Sequence, residues 1–70
     1  MINKYGIIFN KMLKEKYPCK HRELLEKGEL NSLIYKKQES IVDIVENEEI
    51  KLKTQILEVI TNMVEDIGKE

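Results

Sequence analysis

The residues with the most obvious chemistry cluster in the segment YPCKHRELLEKGELNSL, residues 17–33, which holds the chain's only proline, cysteine, histidine and arginine. Cys19 and His21 are the one nucleophile–base pair that the sequence offers. Two residues apart on a helix, their side chains point about 200° apart and cannot form a hydrogen-bonded dyad. The sequence also shows no glycine-rich phosphate loop and no patterned pair of carboxylates. We therefore expect a protein that is not an enzyme.

The residue counts also disfavour a metal site or a disulfide. A single cysteine cannot form an internal bridge, and one cysteine beside one histidine supplies too few ligands for structural zinc. We expect no metal and no cofactor. A lone cysteine suits the reducing cytosol. The opening residues, MINKYGIIFN, contain an apolar run of only three residues, which is too short for a signal-peptide core or a membrane span. A cytoplasmic protein without membrane attachment is expected.

Chain length limits the size of the hydrophobic core. Seventy residues predict one domain, residues 1–70, and a chain of this size buries only about 60% of the surface that its unfolded form exposes. Because neither a disulfide nor a metal can supplement so small a core, association with another chain is the expected supplement. Hydrophobic residues are 41% and charged residues 36% of the chain, a composition typical of a globular protein.

The net charge of -1 conceals a strong asymmetry. Residues 1–37 carry nine Lys or Arg and four acids, a balance of +5, whereas residues 38–70 carry three Lys and nine acids, a balance of -6. A basic half can bind nucleic acid or an anionic membrane surface. Alternatively, the two halves neutralise each other within one chain or across a dimer, and we favour this second interpretation.

Apolar residues recur at three- and four-residue steps through the whole chain, a spacing typical of amphipathic helices. The pattern predicts an all-α bundle of three or four short helices, at about residues 2–16, 18–27, 31–46 and 48–67. Asn47 is the only helix breaker between the last two, which could therefore fuse; we favour a break with Asn47 as the new cap. Gly6 is expected to weaken the first turn by about 1 kcal/mol.

The segment around Gly28 reads as a structural corner between the second and third helices. Pro18 suits the first position of the second helix, where its missing N–H has no intrahelical partner to lose. Gly28 is expected to close that helix in a left-handed conformation. Asn31 is the predicted N-cap of the third helix, with Leu30 and Tyr35 at the two ends of a hydrophobic staple.

The same corner imitates a DNA-binding helix-turn-helix. Four residues are of types that could reach bases or phosphates: Arg22, Tyr35, Lys36 and Lys37. However, Leu24 stands where that motif prefers a small residue, and Glu29 stands where it prefers an apolar one. We therefore favour a purely structural corner, with nucleic-acid binding as the alternative.

A longer stretch, LKEKYPCKHRELLEKGELN at residues 13–31, resembles the central segment of the TnpV family, small proteins encoded on bacterial transposons and related mobile elements. The family pattern is close to Leu-Lys-Glu, a proline three residues on, a leucine pair, and Ser-Gly-Lys-Leu-Asn. The matching residues are Leu13, Lys14, Glu15, Pro18, Leu24, Leu25, Gly28, Leu30 and Asn31. Lys27 and Glu29 replace the usual Ser and Lys, and the C-terminal third lacks the family's Trp-containing segment. The resemblance implies a mobile-element context and supplies no catalytic residues, because the family's biochemical role is not established.

The last predicted helix has an apolar face wider than a 70-residue monomer is expected to cover. Its stripe of Ile56, Ile60, Met63 and Ile67 is the predicted oligomer interface, with a homodimer favoured. We therefore expect a small non-enzymatic interaction protein of a bacterial transposon or phage, which self-associates or binds a host or element protein. The alternative is a DNA-binding accessory or regulatory protein that uses the basic N-terminal half.

Overall fold

The computed structural model describes residues 2–69 and contains four α-helices joined by short connections. They are α1 (Lys4–Lys16), α2 (Pro18–Glu26), α3 (Leu30–Asn47) and α4 (Lys53–Gly68). The described residues contain no β-strand, so the all-α prediction is confirmed, as is the break between the third and fourth helices. Helix α1 is the central element, because it is the main packing partner of each of the other three.

The hydrophobic core comes from α1, α3 and α4. Its eight buried side chains are Phe9, Leu13, Leu30, Ile34, Ile41, Ile60, Val64 and Ile67. Helix α2 has no buried residue; its Leu24 is half-buried against the core, whereas Leu25 is 60% exposed. Helix α2 therefore lies on the edge of a three-helix core.

The first turn of α1 is better held than its glycine suggests. The side-chain Oδ1 of Asn3 accepts hydrogen bonds from the backbone N–H groups of Tyr5 and Gly6, both at 3.0 Å. The backbone N–H of Asn3 donates to Oε1 of the buried Gln38 on α3, also at 3.0 Å. Gly6 itself is buried. The N-cap and the contact with α3 together hold the start of α1 in place. The expectation of a weakened first turn considered only the helix propensity of Gly6 and neither of these contacts.

The corner between α2 and α3 has the predicted glycine conformation. Pro18 is the first residue of α2, and Gly28 has a φ of 72°. The N–H of Gly28 donates to the carbonyl of Leu25 at 3.1 Å, and that of Glu29 donates to the carbonyl of Leu24 at 3.0 Å. This pair of hydrogen bonds is a Schellman motif, which satisfies two of the free carbonyls at the end of α2.

The predicted cap of the third helix is wrong. Helix α3 begins at Leu30, its N-cap position is Glu29 without a side-chain hydrogen bond, and Asn31 lies exposed within the first turn. Glu29 already has near-helical backbone angles, φ -101° and ψ -9°, so the chain passes directly from the Schellman turn into α3 and leaves no extended residue to act as a cap. Leu30 is buried in the core while Tyr35 is exposed, so the expected staple is also absent.

Substitutions at Gly28 and Asn31 should therefore differ in their effect on stability. Gly28→Val should lower the free energy of unfolding by about 1–2 kcal/mol, because a β-branched residue is strained at a positive φ. No other atom lies within 4 Å of the position that a Cβ would take, so the cost arises from the backbone alone. Asn31→Ala should be neutral or slightly stabilising, by up to about 0.5 kcal/mol. Urea unfolding of the two variants tests both; a loss of about 1 kcal/mol in Asn31→Ala would restore the capping role.

The connection from α3 to α4 also departs from the prediction. Asn47 is the last residue of α3, and α4 begins at Lys53 rather than at residue 48. Glu49 has a φ of 52°, and the N–H of Ile50 donates to the carbonyl of Val45 at 3.0 Å. A left-handed glutamate thus ends α3 much as Gly28 ends α2. Residues 50–52 then connect this turn to the start of α4.

Candidate interaction surface

Cys19 and His21 both line a groove of about 350 Å³ between α1 and α2. Nε2 of His21 is hydrogen-bonded to Oδ1 of Asn10 on α1, at 2.8 Å. Partial burial lowers the pKa of His21, and the positive charge of Lys14 lowers it further. No carboxylate lines this groove, and the group that orients the imidazole is the side-chain amide of Asn10. The arrangement favours a structural role in which His21 joins α2 to α1.

Metal binding finds no support in the same region. Within the described part of the chain, no group of three or more His, Cys, Asp or Glu side chains could hold a metal ion.

A second groove, of about 360 Å³, runs between α2 and α3 and carries four lysines: Lys20, Lys27, Lys36 and Lys37. The structure thus brings together two of the four candidate nucleic-acid contacts. Tyr35 does not line this groove, and Arg22 lies in the α1–α2 groove, 3.9 Å from the carboxylate of Glu26. The four candidates therefore do not line one groove.

Part of the positive charge of the α2–α3 groove is already neutralised. Nζ of Lys27 donates to a carboxylate oxygen of Glu23 at 2.9 Å. This hydrogen bond lowers the pKa of Glu23 and raises that of Lys27. Both groups are solvent-exposed, so the pair contributes little to the stability of the fold. Its main effect is to neutralise one of the four lysines of the groove.

The predicted oligomer stripe on α4 belongs largely to the core of a single chain. Ile60 is fully buried and Ile67 is 4% exposed, whereas Ile56 and Met63 are half-buried against the same core. Assigning Ile60 and Ile67 to an intermolecular interface is therefore wrong in this fold. The reason is that α1 and α3 both pack on α4 and cover the stripe that the sequence suggested a second chain would cover.

An uncovered apolar surface lies instead between α1 and the N-terminal half of α4. We call it the α1–α4 face. It consists of two adjoining depressions of about 450 and 250 Å³, both lined by Ile8, Lys53 and Leu57. Its other apolar residues are Tyr5, Ile7, Met12 and Ile56. Ile7 is 59% exposed, and Leu52, next to Lys53 in the chain, is 61% exposed.

Positive charge surrounds the α1–α4 face. Four lysines line it, namely Lys4, Lys11, Lys51 and Lys53, against a single carboxylate, that of Glu15. Nζ of Lys4 lies 5.2 Å from the centre of the Tyr5 ring, within the range of a cation–π contact. The sequence pattern missed this face because its lysines come from two separate parts of the chain. The available signal was Ile7, an apolar residue outside the core stripe of α1.

The basic and acidic halves do not neutralise each other within the chain. Among the described residues, Lys16–Glu65, at 3.5 Å, is the one ion pair that joins different helices; the other two lie within or at the end of α2. Neutralisation of the two halves within one chain, which is one form of the favoured interpretation, thus rests on a single surface ion pair. Most of the charge on both halves remains available to other molecules.

No known protein family, curated protein or solved structure matches this chain. Over residues 2–69, no helix combines the length and apolar character that a membrane crossing needs.

Proposed function

We propose that this chain is a small, non-enzymatic helical interaction protein that binds another protein chain through the α1–α4 face. The observation that carries the proposal is the exposure of Ile7 beside two apolar depressions ringed by lysines. An apolar surface with a polar rim is typical of a protein–protein binding site. A groove between two helices is the shape that accepts an apolar ridge from a partner helix.

The proposed setting is a bacterial mobile element, either a transposon or a phage. Its support is the resemblance of residues 13–31 to the TnpV family. In the structure this segment runs from the end of α1 through α2 into the start of α3. Leu13 and Leu30 of the shared pattern are buried, and Gly28 has the left-handed conformation that its position requires. The shared residues are thus mainly those that build the corner, while the α1–α4 face lies mostly outside them.

Site-specific photocrosslinking in living cells tests the proposed binding face. Ile7 is replaced by a photoreactive phenylalanine analogue, and Tyr35, a 41% exposed residue on α3, carries the same analogue as the matched control. We expect irradiation to attach protein to position 7 much more efficiently than to position 35, because only position 7 lies on the α1–α4 face. Leu57→Glu should abolish the adduct at position 7. Equal labelling at both positions, or none at either, would contradict the proposal.

The second candidate function is DNA binding by the lysine-lined α2–α3 groove. The observation that favours it is that Lys36 and Lys37 share this groove with two further lysines from α2 and its end. If these two side chains bind phosphates, the Lys36→Gln/Lys37→Gln variant should reduce the slope of log K against log salt by about 2. Fluorescence anisotropy with a labelled duplex measures the slope. A parent protein that binds no duplex at low salt would exclude this function.

A further inference from the structure

The charges of the α1–α4 face limit what can cover it. If two copies met symmetrically through this face, eight lysines, four from each chain, would approach each other with only two glutamates between them. Like charges brought together during desolvation oppose association. The occupant of the face should therefore be acidic and should also carry apolar side chains.

A surface with this chemistry lies on the other side of α4 in the same molecule. We call it the acidic face; its residues are Glu48, Glu49, Ile50, Gln55, Glu58, Val59 and Asn62. Three carboxylates and no lysine line it, and its apolar residues Ile50 and Val59 are half-buried. Leu57 of the α1–α4 face and Val59 are two residues apart on α4, and therefore point about 200° away from each other.

We propose that the α1–α4 face binds a second copy of this chain, whose acidic face enters the groove in a head-to-tail arrangement. This inference rests on the proposed protein-binding role of the α1–α4 face. Gln55, Glu58, Val59 and Asn62 follow the i, i+3, i+4, i+7 spacing of one helix face. They form the α4 side of a depression of about 360 Å³, and this face of α4 is the one that the incoming copy lays against the groove between α1 and α4.

Charge complementarity supports a second copy as the occupant. The lysines of the α1–α4 face are opposite in charge to the carboxylates of the acidic face, and none of the ion pairs found within residues 2–69 involves a residue of either set. Since the two faces lie on opposite sides of α4, one copy can use both at once. Assembly then continues from copy to copy, as a ring or an open chain, and weakens as salt screens the contact.

Two charge-reversal variants test the arrangement. Lys11→Glu/Lys53→Glu removes the basic surface but keeps the acidic face, and Glu48→Lys/Glu58→Lys does the reverse. All four residues are exposed, so the fold should be retained, which circular dichroism can verify. By light scattering, the parent should grow in mass with concentration at low salt, whereas each variant alone should remain a monomer of 8.3 kDa. An equimolar mixture should assemble again, since the acidic face of the first variant meets the basic face of the second, and the two reversed faces are also opposite in charge.

A matched control separates the specific contact from net charge. Lys14→Glu/Lys36→Glu changes the net charge by the same amount as Lys11→Glu/Lys53→Glu, but at exposed positions outside both faces. This variant should assemble like the parent. A monomeric parent at millimolar concentration and low salt would overturn the inference, as would a mixture of the two reversal variants that stays monomeric. If the parent is monomeric but position 7 still crosslinks to a different protein in cells, the proposed binding role survives and the second copy is the wrong occupant. Binding to anionic vesicles through Ile7 in place of self-assembly would also overturn it.

Discussion

Phe9→Ala should lower the free energy of unfolding by about 3–5 kcal/mol, the usual cost of truncating a buried phenylalanine. Phe9 is fully buried and lies on α1, the main packing partner of each of the other three helices. A domain of this size has a total stability of roughly 4–10 kcal/mol, so the substitution removes a large fraction of it. We expect the variant to be partly or wholly unfolded at 37 °C and to lose structure in all four helices together.

Ile7→Ala, two residues away on the same helix, is the matched control. Because Ile7 is 59% exposed, its truncation should change the free energy of unfolding by less than about 0.5 kcal/mol. Urea unfolding followed by circular dichroism measures both variants. A Phe9→Ala protein that unfolds near the midpoint of the parent would contradict the central packing of α1.

The helices of this fold could be predicted because the features that specify them are local. Three- and four-residue spacing marks the stripe that contains Phe9 and Leu13 in α1, and the apolar residues of α3 that recur in the same way include Ile34 and Ile41. All four lie in the core. Pro18 and Gly28 act through their own backbone preferences, which hold in any surroundings. For these reasons the first three helices begin and end within about two residues of their predicted limits.

Other features depend on contacts that the pattern does not contain. Glu49 adopts a left-handed conformation although it is not a glycine, so no residue type indicated that the connection would continue to residue 52 before α4 begins. The same limit applies to the candidate site. Which face of α4 is free depends on where α1 crosses it. This crossing leaves Leu57 half-buried in the depression that Ile7 also lines, while it buries Ile60. A stripe in one helix can predict that a surface will be covered, but it cannot say by which chain.

Gly6→Ala provides a test in which local and tertiary effects have opposite signs. Helix propensity alone predicts a gain of about 1 kcal/mol, because alanine is the better residue within a helix. In the structure, a Cβ at Gly6 would overlap Oε1 of Gln38 and would lie 2.8 Å from Cγ2 of Ile2 and 3.1 Å from Cγ2 of Ile34. Overpacking of this kind costs about 1–3 kcal/mol. Displacing Gln38 also breaks its hydrogen bond with the N–H of Asn3, at a further cost of about 1 kcal/mol.

The tertiary effects are the larger, so we expect Gly6→Ala to lower the free energy of unfolding by about 2 kcal/mol. A double-mutant cycle with Gln38→Ala identifies the cause, since shortening Gln38 removes the atom that the new Cβ would meet. In the Gln38→Ala background, adding the methyl group at Gly6 should cost at least 1 kcal/mol less than in the parent, a coupling typical of residues in direct contact. A Gly6→Ala protein more stable than the parent would show that helix propensity dominates at this position, and that α1 and α3 are not in close contact there.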